Sequence, residues 1–320
     1  MPDSPNPDSP NPDSPNPDSR NPAGSDPQAL AELKASLGVT ISVCLPARDE
    51  EATVGHIVAS VRRNLMERAP LVDEVVVMDD GSTDGTAEAA HWEGAKVHAV
   101  GDVLPALPSG SGKGNALWLS LFVTEGDIVC WVDADVRNFR PHFVTGLVEP
   151  LLRDATIGLV KGYYRRPLHG EPSGGGRVTE LLARPLLSTL FPHLTGIVQP
   201  LGGEYAGRRD LLESVPFVEG WGVEIGLLID VAERSGVDAI AQADLGVREH
   251  RNRTLDELAP QAMEVLATGL RRAGVAPERL ATTLARFDDA YDPVLIPVET
   301  RERPPIATIS EYRSRFGRDS

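Results

Sequence analysis

Cysteine is scarce in this chain, with two in 320 residues. Cys44 and Cys130 each sit inside an apolar, strand-like run. That is not a disulfide framework of a secreted fold; it reads as reduced core thiols in a cytoplasmic protein. Basic residues are outnumbered, 31 Lys and Arg against 47 Asp and Glu, for a net charge of -16. The acidic surplus argues against wholesale binding to nucleic acid or to an anionic membrane, and leaves room for a local basic pocket that takes a small anion. No apolar run approaches the roughly 18 residues of a membrane span. The N-terminus has neither the basic nor the apolar region of a secretory signal. Hydrophobic residues make up 41% and charged residues 24%, an ordinary globular balance. The length suits one large α/β domain, or one domain with a C-terminal extension.

What is present is organised around Asp127 to Asp135, Asp-Ile-Val-Cys-Trp-Val-Asp-Ala-Asp. The run is short, β-branched and aromatic, which predicts a buried strand. Asp133 and Asp135, flanking Ala134, face the same side if strand geometry continues. Two unpaired carboxylates at a buried strand end repel each other and lose hydration. A divalent cation between them and the phosphates of a ligand makes the pair tolerable. The other reading is a plain strand-to-loop turn, where aspartate is common.

The first 27 residues repeat an Asn-Pro-Asp-Ser-Pro unit that can bury nothing, so they read as a disordered tail. Beyond them helices and strands alternate. A helix is expected over Pro27–Leu37 and a strand over Val39–Leu45, then a helix over 52–66 and a strand over Glu74–Asp79. A helix, a strand at Lys96–Val100, a Pro- and Gly-rich loop over 101–114 and a helix to Val123 follow. This predicts a mostly parallel, Rossmann-like sheet flanked by helices, with ligands at the carboxyl ends of the strands. Three polar strand ends converge there: Pro46 to Glu50, Asp79 to Asp84 and Asp133 to Asp135. The second half is less regular. It has a strand at Leu159–Tyr164, a helical stretch kinked at Pro185, and an extended run over Gln199–Arg208. A helix over Gly222–Ser235, a strand over Ala239–Ala243 and a helix over Leu255–Ala273 come next. The expected organisation is a tail over 1–27, a first half over 28–165, a smaller second half over 166–285, and an irregular extension over 286–320.

Each motif has a structural and a chemical reading. In Asp80 to Thr86 glycine makes the bend and Ser82 or Thr83 can cap a helix; Asp80 can additionally face a nucleoside. Ser109 to Gly114 lacks the spacing of a P-loop. Its glycines beside Lys113 at a helix start suit a diphosphate, or else it is a surface loop. Gly174 to Thr179 resembles an anion nest, where glycine amides, the Arg177 guanidinium and the Thr179 hydroxyl converge; the plain alternative is a loose loop with a surface arginine. His250, among Arg248, Arg251 and Arg253, is either structural or a third metal ligand. Glu224, amid Val223, Ile225, Leu227 and Leu228, either faces solvent by periodicity or is placed for a purpose.

Taken in order, Pro-Ala-X-X-Glu-Glu, Asp-X-Gly-Ser-Thr-Asp, Gly-Lys-Gly, Asp-X-Asp, Gly-Gly-Gly-Arg-Val-Thr-Glu, Gly-Val-Glu-Ile-Gly-Leu-Leu-Ile-Asp and His-Arg-Asn-Arg resemble the glucosyl-3-phosphoglycerate and mannosyl-3-phosphoglycerate synthases. These are retaining glycosyltransferases of the GT-A fold, and the resemblance runs from about Thr40 to Leu270. It implies that Pro46, Ala47, Arg48, Glu50 and Asp80 hold the nucleoside and that Lys113 approaches the diphosphate. It implies that Asp133, with Ala134, lies on the sugar side, and that Asp135 and His250 bind Mg²⁺ or Mn²⁺. Gly176, Arg177, Val178 and Thr179 would hold the phosphate of 3-phosphoglycerate, with Asn252 nearby, and Glu224 would touch the sugar or the acceptor hydroxyl. The donor would be GDP-mannose, UDP-glucose or GDP-glucose, and the product a compatible-solute precursor. Asp80 stands where the glucosyl enzymes carry a serine, and Trp221 where they carry a tyrosine, so the donor stays open. Self-association into a homodimer stays open too. With no second carboxylate placed as a nucleophile, front-face attack is the expected route. The alternatives are an inverting GT-A enzyme acting on a lipid phosphate or polysaccharide, and a silent nucleotide-sugar sensor.

Overall fold

The computed structural model describes residues 26–168, 171–174, 176–249, 254–298 and 300–317. The chain opens on α1 (Pro27–Leu37), started by the Asp26 carboxylate accepting from the Gln28 amide and ended by Gly38 in the left-handed region. Asp26 and Pro27, counted in the expected tail, therefore belong to the fold, and residues 1–25 lie outside the described residues. The alternation then runs β1 (Ile41–Ala47), α2 (Glu51–Val61), β2 (Glu74–Asp79), α3 (Thr86–Trp92), β3 (Lys96–Ala99), α4 (Gly112–Val123), β4 (Ile128–Trp131), α5 (His142–Arg153) and β5 (Leu159–Arg165). After a short ribbon, β6 (Pro167–Leu168) and β7 (Glu171–Gly174), come α6 (Arg184–Leu190), β8 (Tyr205–Arg208), α7 (Arg209–Leu212), β9 (Phe217–Val218), α8 (Val223–Ser235), β10 (Ile240–Val247) and α9 (Leu255–Arg272).

Seven strands form one sheet in the order β10-β5-β8-β4-β1-β2-β3. All neighbours pair parallel except β8, which runs antiparallel between β4 and β5. The expected mostly parallel α/β sheet is borne out. Two apolar clusters cover its faces, one against α2 and α5, the other against α4 and α8. The central strands are buried on both faces, which is why β1, β2 and β4 read as near-continuous apolar runs rather than alternating ones. Strands from both expected halves lie in the same sheet, so the boundary at residue 165 does not separate two folding units.

Three expectations need correction. The strand expected to end in Asp133 stops at Trp131, and Asp133 to Asp135 form the turn beyond it. The helix expected to kink at Pro185 instead widens to a π segment over Thr179–Ala183 before α6 begins. Proline lacks the N–H of a regular ladder, and a wider turn just before it accommodates that loss. The extension over 286–320 is not irregular. It holds β11 (Thr283–Phe287) paired with β12 (Pro293–Pro297), β13 (Glu302–Arg303) paired with β9, and α10 (Ser310–Phe316). Ile306 and Tyr312 are fully buried in the α4 and α8 cluster, and Trp118 donates to the Pro304 carbonyl at 2.7 Å. Among the described residues no helix is long and apolar enough to cross a membrane.

Candidate active site

Two loops at the carboxyl ends of β1 and β2 are tied to each other. Asp49 adopts φ 56°, a left-handed conformation that aspartate tolerates better than most residues. Its carboxylate accepts from the Thr83 amide at 2.7 Å, while its own amide donates to the Ser82 hydroxyl at 3.0 Å. The Glu50 amide donates to the Thr86 hydroxyl at 2.8 Å. Ser82 and Thr83 thus link the loops rather than cap α3, and the Thr86 amide at the helix start donates to Asp84. Arg48 and Asp80 face each other across the junction at 3.9 Å. Burial lifts the Asp80 carboxyl above its ordinary range, against the pull of Arg48 and with the push of Asp79.

The third strand end carries the densest charge. Lys113, in the first turn of α4, donates to Asp133 at 2.6 Å and pairs with Glu224 at 2.7 Å. Burial alone would lower its pKa, yet the two carboxylates hold the ammonium well above its usual range. Glu224, in the first turn of α8, is buried and does not face solvent. Arg248 follows β10, and its Nη2 donates to Asp133 at 2.8 Å and to Asp135 at 2.6 Å. Its Nε lies 3.0 Å from Glu204, a carboxylate with no exposure. Burial would raise the Asp133 carboxyl, but Lys113 and Arg248 hold it far below the ordinary range. Burial keeps Glu204 above its ordinary range despite Arg248. Asp133 and Asp135 do share a side, through the turn and one guanidinium rather than through strand alternation.

Lys113, Asp133, Asp135, Glu224 and Arg248 line one cavity of about 510 Å³, with Glu204 buried behind it. Every site residue expected from the sequence and present among the described residues is on its wall. Pro46, Ala47, Arg48, Glu50 and Asp80 form one end, and Lys113, Asp133, Ala134, Asp135 and Glu224 the middle. Gly176, Arg177, Val178 and Thr179 come from the loop before α6. Gly176 takes φ 78° and its carbonyl accepts from the Glu180 amide, so Arg177 stands at the first turn of a helical stretch. His250 and Asn252, expected as metal ligand and acceptor contact, lie outside the described residues.

Sequence reasoning missed Glu204 and gave Arg248 only as a neighbour of His250. The signals were a lone carboxylate in Leu-Gly-Gly-Glu-Tyr-Ala and an arginine at the end of an apolar strand. It also missed Arg166 and Gln261, which line the same cavity.

Among the described residues no three His, Cys, Asp or Glu side chains form a metal cage. Asp133 and Asp135 nevertheless stand side by side on the cavity wall, each with one oxygen on Arg248. A hard divalent cation held by one or two carboxylates plus substrate phosphates fits such a set.

Residues 42–212 match the family model described as glycosyl transferase family 2. The chain is 49% identical over 286 residues to the glucosyl-3-phosphoglycerate synthase of Mycolicibacterium smegmatis, covering 88% of this chain and 93% of that protein. It is 44% identical over 302 residues to the enzyme of the same name from Petrotoga mobilis, covering 91% and 93%. Among solved structures, the glucosyl-3-phosphoglycerate synthase of Mycobacterium tuberculosis with Mn²⁺, UDP-glucose and phosphoglyceric acid aligns with TM-score 0.79 at 49% identity, covering 87% of this chain and 93% of that one. The same enzyme with Mg²⁺ and UDP aligns with TM-score 0.80 at 48% identity, covering 88% and 95%.

Proposed function

This chain belongs to the glucosyl-3-phosphoglycerate synthases of glycosyl transferase family 2, and on that premise we propose that it moves glucose from UDP-glucose to the free hydroxyl of 3-phosphoglycerate with retained anomeric configuration. One observation carries the proposal. A single cavity joins the β1 and β2 strand ends to the Gly176 to Thr179 loop, with Lys113, Asp133 and Glu224 between them.

In this reading the nucleoside lies along Pro46, Ala47, Arg48, Glu50 and Asp80. Lys113 and the start of α4 offer positive charge to the diphosphate. Asp133, Ala134 and Glu224 orient the sugar. Asp135 holds Mg²⁺ or Mn²⁺ together with the donor's phosphate oxygens, with His250 as a second protein ligand. When bound, the cation neutralises the charge that develops on the departing diphosphate. Gly176, Arg177, Val178, Thr179 and Asn252 receive the acceptor phosphate, for which a forked guanidinium is suited. Glu224 is engaged by Lys113, so its role is to position a hydroxyl and not to attack carbon. The acceptor hydroxyl then attacks from the face the diphosphate leaves, and a diphosphate oxygen takes its proton.

GDP-glucose and GDP-mannose enter as further donors on account of Asp80. A half-buried carboxylate on the nucleoside wall can accept from the N1–H and exocyclic amine of guanine, and Trp221 sits on the cavity near Lys113. A donor panel with 3-phosphoglycerate tests this, and activity confined to UDP-glucose would remove the guanine part. Self-association into a homodimer stays with the proposal, and sedimentation of the full chain tests it.

A further inference from the structure

Two members of the ion cluster at the cavity have no part in the proposed reaction: Arg248, on the wall, and Glu204, behind it. Arg248 has 3% of its surface exposed and Glu204 none. Two guanidinium nitrogens donate, Nη2 to both Asp133 and Asp135 and Nη1 to the Tyr164 hydroxyl at 3.2 Å, while Nε lies 3.0 Å from Glu204 as an ion pair without hydrogen-bond geometry. The guanidinium carbon also lies 5.4 Å from the Tyr164 ring centre. The backbone fixes its origin. The Arg248 amide donates to the Arg165 carbonyl, Asn138 donates to the Val247 carbonyl, and the Glu249 amide donates back to Asn138. The segment carrying Arg248 is thereby fastened to the turn that carries Asp135.

A buried ion cluster of this kind is expensive to desolvate, and a hydrophobic replacement is often as stable. Its presence here therefore asks for a role other than stability. The guanidinium holds one oxygen of each aspartate in a fixed place, which sets the direction of the other. Glu204 meets the same guanidinium from behind. It takes up part of the positive charge, so Arg248 does not neutralise the aspartates by itself.

Resting on the reading that a divalent cation takes part, we propose that Arg248 and Glu204 are positioning residues of the metal centre. The guanidinium orients Asp133 and Asp135, and Glu204, 3.0 Å from its Nε, holds it from behind and offsets part of its charge. Neither residue need touch the cation.

The test is a Mn²⁺ titration followed by electron paramagnetic resonance, with UDP present, on the full chain and on Glu204→Gln, Arg248→Lys and Arg248→Met. Outer partners of metal ligands typically change affinity by about 10–100-fold, and a weakening of that size is expected for Glu204→Gln and Arg248→Met. Arg248→Lys should recover part of the loss, since it keeps the charge without the fork. Excess Mn²⁺ should restore much of the turnover of Glu204→Gln, and its KM for 3-phosphoglycerate should stay within about twofold, the mark of a lost metal contact rather than a lost acceptor site. If the glutamine variant does not fold, Glu204→Asp replaces it, with the same expected direction. Wild type that takes up no Mn²⁺ with UDP overturns the metal reading and this inference with it. Wild type that binds Mn²⁺ while folded variants bind it equally well overturns the inference alone.

Discussion

Replacing Gly203 by alanine puts a methyl group where the Asp133 carboxylate now sits. The added Cβ would lie 2.2 Å from Oδ2 and 2.6 Å from both Cγ and Oδ1. Gly203 is not among the residues with positive φ, so the backbone itself accepts alanine and the collision alone decides the outcome. The carboxylate must turn away, which breaks its bonds to Lys113 and Arg248. Each is a charge-assisted bond worth about 1.5–3 kcal/mol. The two cations are not orphaned, because Lys113 keeps Glu224 and Arg248 keeps Asp135 and Glu204. The net loss should therefore be nearer one bond than two, about 1.5–3 kcal/mol. A carboxylate displaced by an ångström should cost turnover of the order of 100-fold. The assays are kcat with UDP-glucose and 3-phosphoglycerate, and chemical denaturation. Gly196→Ala, whose Cβ would meet nothing within 4 Å, is the neutral control. A double-mutant cycle gives the decisive comparison: with Asp133 already replaced by alanine, Gly203→Ala should become nearly silent. Wild-type kcat in Gly203→Ala, or full additivity in the cycle, would refute the reasoning.

Other expectations follow from the same geometry. Arg177→Ala should raise the KM for 3-phosphoglycerate by roughly one to two orders of magnitude, the size of a charge-assisted contact, while donor KM barely moves; an unchanged acceptor constant would put the phosphate elsewhere. Asp135→Ala and EDTA should each cripple turnover, with Mg²⁺ or Mn²⁺ restoring only the EDTA-treated wild type; full activity in EDTA would contradict the metal assignment. Lys161, fully enclosed on β5 with its ammonium on the Gly202 carbonyl at 2.6 Å, is pushed by burial down to about 8. Its unfolded pKa is higher, so between pH 8 and pH 10.5 the unfolded chain binds more protons and wild type gains stability as pH rises. Relative to Lys161→Met, that gain should reach of the order of 2 kcal/mol by about pH 9.5, and denaturation curves at pH 7.5 and 9.5 that shift in parallel would show the lysine to be unperturbed.

The first half of the fold was legible because its signals are local. Glu74–Asp79 is an apolar run between polar ends, and the strand was observed over those residues. Pro27–Leu37 has a capping aspartate before a proline and a glycine after its last turn, and the helix keeps those limits. The site was legible through polar residues at strand ends, since a parallel sheet gathers such ends at one crevice. What stayed hidden depends on non-local pairing. β8 is four residues long and antiparallel between two strands of distant sequence, and nothing within it announces that place. The C-terminal strands are short, and α10 has seven residues, too few for a periodic pattern; the last segment is held by Ile306 and Tyr312 packing in the α4 cluster. Glu204 and Arg248 meet only because β8 and β10 flank β5, a fact the sequence order does not carry.

The central claim is tested most directly by incubating the full chain with UDP-glucose and Mg²⁺, adding 3-phosphoglycerate, and following both UDP release and the anomeric proton of the product by NMR. The account predicts UDP release that depends on 3-phosphoglycerate, matched one to one by a phosphorylated glucosylglycerate of α configuration, with little reaction when glycerate replaces its phosphate. UDP release indifferent to 3-phosphoglycerate, or a β-linked product, would contradict it.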